Sequence, residues 1–356
     1  MAAGREAVVA RVFAAMSGGV DSSVAAALLV EAGHDVVGVT MRLLGEDAPG
    51  GCCPSGSVRD ARRVCDLLGI PHYTWDLREA FEQEVVSEFL DEYAAGRTPN
   101  PCVTCNDRVK SGVLLERVCV AGGEYLATGH YARVVATDDW NRVARGADPA
   151  KDQSYFLYRS TSDQLAHMLF PVGEMTKGEV RERARELDLP TAESPESQEA
   201  CFVSGRDVRS FVKERRPEAF VPGEIVDASG RVVGRHDGAA GHTVGQRHGL
   251  GVSTGEPAYV TAIEPGPARL VVGPRAALAS RRVVAHRAVW HGAPGPMRVT
   301  ARVRSRGSEA PASVRVDGDT LVVEFDEAVE AAAPGQAVVC WDGDIVIGGG
   351  MIGGSV

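Results

Sequence analysis

The chain has 356 residues, 44% hydrophobic and 24% charged, which are globular values for a protein too long to form one ordinary core. No run of about 18 apolar residues exists to span a membrane as a helix, and the start shows no apolar secretory segment. A net charge of −10 argues against nucleic acid as a partner until its distribution is considered.

Val8, Val9, Val12, Phe13, Ala14 and Ala15 predict a first strand, which stops at Ser17-Gly18-Gly19. Asp21, Ser22 and Ser23 then open a helical run from Val24 to Val30. Two glycines allow a tight turn, the acid and hydroxyls cap the helix, and its free N–H groups attract an anion. The loop lacks the Lys-Ser/Thr ending of a P-loop. Val36–Met41 predicts a second strand, and Ser57 to Asp60 a capping box for a helix that runs to Leu68 and stops at Gly69. His72–Trp75 reads as a third strand, Phe81–Tyr93 as a helix, and Tyr125–Thr128 as a short buried strand. This alternation predicts an α/β domain over 1–205 with a parallel sheet. Ligands of such sheets sit beyond the strand carboxyl ends, where Ser17–Ser23, Met41 and Thr128-Gly129-His130 fall.

After about residue 205 the pattern changes. Gly223–Val233 reads as a hairpin turning at 228–230, followed by strands at Tyr259–Ile263 and Arg269–Val272. Residues 282–356 hold short, evenly spaced strands (Val299–Arg304, Ala312–Val316, Thr320–Phe325, Ala337–Trp341) that predict a small β-barrel. The expected domains are therefore 1–205, 206–281 and 282–356, with Pro-Gly hinges at 264–267 and 293–296.

Eight cysteines without a secretory signal predict reduced thiols in the cytoplasm, so that any disulfide would be catalytic. Cys102 and Cys105 form a CxxC pair in RTPNPCVTCN, which fits a redox couple or half a metal site. With a helix expected to begin at Asn106-Asp107, Cys105 would sit at its N-terminus, where the dipole lowers a thiol pKa. Cys201 follows Ser197-Gln198-Glu199-Ala200 in a polar approach to Phe202-Val203. Cys65, Cys119 and Cys340 read instead as small buried hydrophobes. Charge is unevenly spread: residues 265–308 hold Arg269, Arg275, Arg281, Arg282, Arg287, Arg298, Arg302, Arg304 and Arg306 and no Asp or Glu. Such a segment fits a phosphate-binding face or, alternatively, guarded strand edges.

SGGVDSS, TPNPCVTCN, ATGHYAR, KDQSYFLY and SQEACFV, in this order and with GHTVGQRHGLG and PGQAVVCWD further on, resemble the bacterial tRNA-specific 2-thiouridylases of the ATP-pyrophosphatase loop superfamily over almost the whole chain. The resemblance implies an adenine-nucleotide hydrolase-like domain, a small central domain and a C-terminal barrel. It implies adenylation of O2 of the wobble uridine in glutamate, lysine and glutamine tRNAs, then replacement of that oxygen by sulfur. ATP would contact Ala15, Met16, Ser17, Gly18, Gly19, Val20, Asp21, Ser22, Met41 and Gly129, with Mg²⁺ expected and Asp21 its ligand. Cys201 would carry a persulfide from a cysteine desulfurase or sulfur relay, and Cys105 would attack it, passing through a transient Cys105–Cys201 disulfide. Asn100, Pro101, Cys102, His130, Lys151, Asp152, Gln153, Arg304, Ser305 and Gln336 match tRNA-contacting positions.

Two positions depart from the family pattern: Cys102 stands where some members carry an aspartate, and Ser305 where an aromatic is more usual. Alternative readings remain at several places. Cys102, Cys105 and Cys201 could ligate an iron–sulfur cluster, with Cys52-Cys53 a poor further source of ligands. Asp152 fits an N-cap, and His130 a satisfied strand-end histidine. A different adenylating enzyme would need no thiol pair, and a thiol-based binding module no glycine loop.

Overall fold

The computed structural model describes residues 9–45, 55–137, 140–195, 201–203, 207–252, 255–293, 295–330 and 332–355. The chain divides into two compact units, Met1–Val85 with Cys102–Gly205, and Val86–Pro101 with Arg206–Val356.

The first unit is built on β1 (Arg11–Ala15), α1 (Val20–Glu31), β2 (Asp35–Arg42), α2 (Ser55–Leu68), β3 (His72–Asp76) and β4 (Tyr125–Ala127), then a hairpin of β5 (Ala132–Ala136) and β6 (Asn141–Arg145), and β7 (Met168–Leu169). Its sheet runs β3-β2-β1-β4-β7, with every pair parallel. Val12, Phe13 and Ala14 are buried in succession, as are Val36 and Val37, because helices cover both faces of a parallel sheet. Each fully buried valine, such as Val12 or Val24, contributes roughly 1.5–3 kcal/mol relative to an exposed one. On α2, Ala61, Val64 and Cys65 meet the core at helical spacing, and Gly69 ends the helix at φ +68°.

Four helices depart from the expectation. α1 starts at Val20 with Gly19 as N-cap and no side-chain cap, so Asp21, Ser22 and Ser23 lie inside it, and α2 starts at Ser55, which puts Ser57 within the helix rather than at its cap. The one expected over Phe81–Tyr93 starts at Arg78 and is π-helical over Glu82–Val86. The one expected to start at Asn106-Asp107 starts at Pro101, becomes π-helical over Cys105–Leu114 and ends at Val120. Proline suits a first helical position, because the N–H it lacks has no partner there anyway.

The second unit holds β8 (Gly223–Asp227), β9 (Val232–His236), β10 (Tyr259–Glu264) and β11 (Arg269–Gly273), in the order β10-β11-β8-β9 around Ile225, Val260, Leu270 and Val272. The expected 223–233 hairpin is present, with Asp227 N donating to Arg231 O at its turn. The expected hinge at 264–267 is instead the tight turn joining β10 to β11, closed by Ala268 N donating to Pro265 O at 3.0 Å. β12 (Ala279–Trp290), β13 (Met297–Arg302), β14 (Ala310–Asp317), β15 (Thr320–Glu330), β16 (Ala337–Asp342) and β17 (Ile345–Ser355) form an antiparallel barrel. The order β12-β15-β14-β13-β16-β17 returns to β12 through the β12–β17 pairing, so these six strands leave no open edge. Val283, Val323, Val338, Cys340 and Ile352 lie in its core.

Candidate active site

The loop after β1 is braced from within. Ser22 Oγ accepts from Ser17 N at 3.2 Å and donates to Gly19 O at 3.1 Å, and Ser23 Oγ donates to Gly19 O at 2.8 Å. Gly18 has φ +79°, and a Cβ there would lie 2.4 Å from the backbone oxygen of Ser57. Only glycine meets both demands. Met16 is buried, its N donating to Val39 O and its O accepting from Thr40 Oγ1, so β2 fixes the loop's first residue. Val20 is buried as well, whereas Ser17 is exposed where an anion would approach the start of α1. Met41, half-buried at the end of β2, pairs in register with Trp75. Gly129 lies against the first turn of α1, where a Cβ would come within 2.7 Å of Ser22 N.

Asp21 has partners that sequence reasoning missed. Its Oδ1 accepts from Tyr131 OH at 2.7 Å and from Lys177 Nζ at 2.6 Å. Lys177 stands at the start of the helix Lys177–Glu186, 156 residues along the chain, and no local pattern advertises that contact. The same helix carries Arg181, which donates to Ala192 O and Ser194 O. It therefore ties the loop to the segment that leads towards Cys201. Asp21 Oδ2 has no hydrogen bond among the described residues. A free carboxylate oxygen beside a phosphate cradle fits Mg²⁺, which takes one or two carboxylates and completes its shell with substrate phosphates and water.

The thiols come next. Cys102 occupies the first helical turn, and Cys105 lies one turn in rather than at the N-terminus. The expected lowering of the Cys105 pKa is not found: loss of water pushes it up to about 12, against the opposing pull of Lys110. Cys201 and Cys102 add to the rise at Cys105. The Cys102 thiol is raised too, by desolvation first and then by Cys201, although the residue itself is exposed. Cys201 therefore lies close enough for its charge to act on both thiols of the CxxC pair. Phe202 anchors it, packing edge-on against Phe81 with centroids 5.7 Å apart, and Val203 is buried beside it. Ser197, Gln198, Glu199, Ala200, Cys52 and Cys53 lie outside the described residues. The iron–sulfur alternative gains no support, since no group of three or more His, Cys, Asp or Glu among the described residues is arranged to hold a metal ion.

Several expected RNA-contacting residues are engaged within the protein. His130 is 7% exposed, with Thr128 Oγ1 2.6 Å from its Nδ1 and Lys110 Nζ 3.4 Å from its Nε2. Burial, then Lys110, hold its pKa well below the usual histidine value, so the ring is neutral. Asp152 accepts from Gly146 N, Ser154 N and Ser154 Oγ, and Gln153 pairs with the backbone of Tyr131 in both directions. Lys151 N donates to Asp148 O. In the second unit, Gln336 Nε2 donates to Thr98 O at 2.7 Å and holds the strand-like approach to Asn100 and Pro101. Arg304 and Ser305 sit in the turn between β13 and β14, and Arg304 is exposed without an ion pair among the described residues. The broader basic face is thinner than expected. Arg269, Arg275, Arg287, Arg298 and Arg302 are paired with Glu264, Glu330, Glu88, Asp326 and Glu309. Those acids lie outside the acid-free stretch in sequence but beside it in the fold.

A parallel sheet with a glycine-turned loop after its first strand fits a nucleotide-binding domain of the HUP class. Comparison with known proteins agrees. Residues 10–205 match the tRNA methyl transferase HUP domain, 209–274 its PRC-barrel domain and 280–352 the aminomethyltransferase β-barrel domain. The tRNA-specific 2-thiouridylase MnmA of Moorella thermoacetica is 48% identical, covering 95% of this chain and 98% of its own. That of Carboxydothermus hydrogenoformans is 47% identical over 96% and 97%. That of Frankia casuarinae is 47% identical over 96% and 98%. The chain belongs to the tRNA-specific 2-thiouridylase family. Among solved structures, the U34-tRNA thiolase NcsA of Methanococcus maripaludis aligns with TM-score 0.36 and 18% identity over 60% of this chain and 70% of that one, too slight a likeness to argue from.

Proposed function

We propose that this chain is a tRNA-uridine 2-sulfurtransferase that uses ATP to activate O2 of the wobble uridine and replaces it with sulfur. The observation that carries the reading is the coexistence, in one compact unit, of the braced Ser17–Ser22 loop and the thiols Cys102, Cys105 and Cys201, with Cys201 raising the proton affinity of the other two. A pyrimidine carbonyl oxygen is a poor leaving group. Attack of O2 on the α-phosphate of ATP forms the O2–phosphorus bond and releases pyrophosphate. The N–H groups at the start of α1, with Ser17 and Gly19, would hold that pyrophosphate. Mg²⁺ on Asp21 would offset phosphate charge. Lys177 brings a second cation to the same carboxylate.

Sulfur reaches the base from Cys201, loaded as a persulfide by a cysteine desulfurase or relay protein. The Cys105 thiolate attacks the inner sulfur, the Cys105–Cys201 disulfide forms, and the outer sulfur leaves with the electron pair as HS⁻. HS⁻ adds at C2, AMP departs with the original oxygen, and an external dithiol reduces the disulfide. Asn100, Pro101 and Cys102 would receive the flipped base, while Arg304 pairs with backbone phosphate. We assign glutamate, lysine and glutamine tRNAs as substrates, the cytoplasm as the location, and 1–205, 206–281 and 282–356 as the functional domains. The test is incubation with tRNA, ATP, Mg²⁺ and sulfide, then nucleoside mass analysis. 2-Thiouridine, AMP and pyrophosphate in equal amounts are expected, and tRNA left unthiolated by well-folded protein overturns the reading.

A further inference from the structure

The π-helical segment Cys105–Leu114 is ten residues long, whereas π-helix normally appears as a single turn and often at functional sites. Its consequence is geometric. At about 100° per residue, an α-helix would place residues 105 and 110 about 140° apart, on different faces. A π-turn closes from i to i+5, which turns Lys110 back towards the face that carries Cys105. The ammonium is fixed by a contact from outside the helix. Buried, neutral His130 accepts from Lys110 Nζ at Nε2, which leaves its Nδ1–H to donate to Thr128 Oγ1. The other charged side chains of this stretch are occupied elsewhere: Asp107 with Arg159 and Arg108, and Arg108 with Glu84. The charged or titratable groups acting on Cys105 are Lys110 on its own helix, Cys102 one turn earlier and Cys201. Lys110 is the one cation among them, and it acts on Cys102 as well.

We propose that Lys110 is a positioning residue for sulfur transfer, its ammonium turned towards the face of Cys105 by the π-helical turn and fixed by His130 so that it stabilises the sulfur anion there. The inference rests on the sulfur-transfer reading above, in which Cys105 must lose its proton to solvent before it attacks the Cys201 persulfide. In the resting protein desolvation outweighs Lys110 and keeps Cys105 protonated. A thiol arranged this way resists stray oxidants, yet has a counter-charge in place when it ionises.

The test follows alkylation of individual cysteines by iodoacetamide in the full chain between pH 6.5 and pH 10, resolved by peptide mass mapping. Lys110→Gln removes the charge but retains a donor for His130, Lys110→Met removes both, and Lys110→Arg retains the charge. An opposite charge at this range shifts a pKa by about 1–3 units, so the Gln and Met variants are expected to alkylate Cys105 at least about tenfold more slowly at pH 8. Their profiles should move to higher pH, while the Arg variant stays near the parent and Cys119, which is exposed where the sequence pattern predicts burial, stays unchanged in all. Buried Cys65 and Cys340 report unfolding by becoming reactive, and if the Met variant unfolds the Gln variant decides. An unchanged Cys105 profile in the Gln variant overturns the proposal, as does an equal slowing in the Arg variant. The assay needs neither tRNA nor ATP. A failure here alongside retained 2-thiouridine formation removes only the role of Lys110, whereas loss of 2-thiouridine in the parent protein removes the larger reading.

Discussion

Cys105 in the α/β unit and Cys340 in the barrel have the same upward displacement, each thiol being pushed to about 12 by loss of water. Their surroundings differ entirely. Burial is the whole cause at Cys340, which is packed among Val283, Val338 and Ile352 on the inside of a closed barrel. At Cys105 burial is opposed by a cation and reinforced by two further thiols. The proton affinity alone thus fails to separate the proposed reactive sulfur from an inert one. What separates them is whether the fold has placed a compensating charge and a second sulfur beside the first.

The strongest way to break this comparison is to remove the proposed sulfur carrier. With sulfur supplied by a persulfide donor rather than as free sulfide, Cys201→Ser is expected to lower 2-thiouridine formation by more than about 10³-fold, the scale of losing a covalent nucleophile, while ATP binding by isothermal titration persists. Full thiolation by this variant would mean that the thiol pair is as inert as Cys340. Next in size is the loop. Gly18→Ala places a Cβ at φ +79° and against the carbonyl of Ser57. The left-handed backbone alone costs about 1–2 kcal/mol, and the clash adds to it. Weaker ATP binding and a lower melting temperature are expected together, with Cys105 alkylation unchanged. Retained affinity would show that the loop tolerates a different path.

How much of this was legible in the sequence follows the reach of each signal. The glycine loop, the 223–233 hairpin and the barrel strands are local patterns of turn chemistry and alternation, and the structure places them where the pattern did. The misread features depend on distant partners. The five paired arginines of 265–308 find acids up to 199 residues away, so an acid-free stretch of sequence became a largely neutralised surface. Lys177 reaches Asp21 across 156 residues, and Lys110 is tied to His130 across 20. The helix start was missed by one turn because the capping residues were sought at Asn106-Asp107, while Pro101 had already opened it. Cys105 therefore lies one turn inside the helix, and the sign of its shift is set by burial, which the local pattern does not reveal.

The smaller predictions sharpen the barrel side. Cys340→Ser replaces a sulfur in an apolar core with a hydroxyl that has no evident partner, costing about 1–3 kcal/mol in chemical denaturation while leaving 2-thiouridine formation per folded molecule unchanged. Finally, alkaline pH should show what the buried barrel thiol contributes to stability. A thiol whose folded pKa is raised from 9.0 to about 12 keeps its proton in the native state where the unfolded chain has lost it. Its stabilising contribution is complete below pH 9 and disappears as pH rises towards 12, because over that window the unfolded state binds fewer protons. Cys65 and Cys105 share the shift, and Cys102 and Tyr93 are raised as well, so stability should fall above pH 9 through all five groups. Cys340→Ala, measured by denaturation at pH 8 and pH 10.5, should lower the stability at pH 8 yet flatten the decline between the two. An equally steep decline in the variant would mean that the barrel thiol does not couple to folding, and that its raised proton affinity has no more consequence for stability than its chemistry has for catalysis.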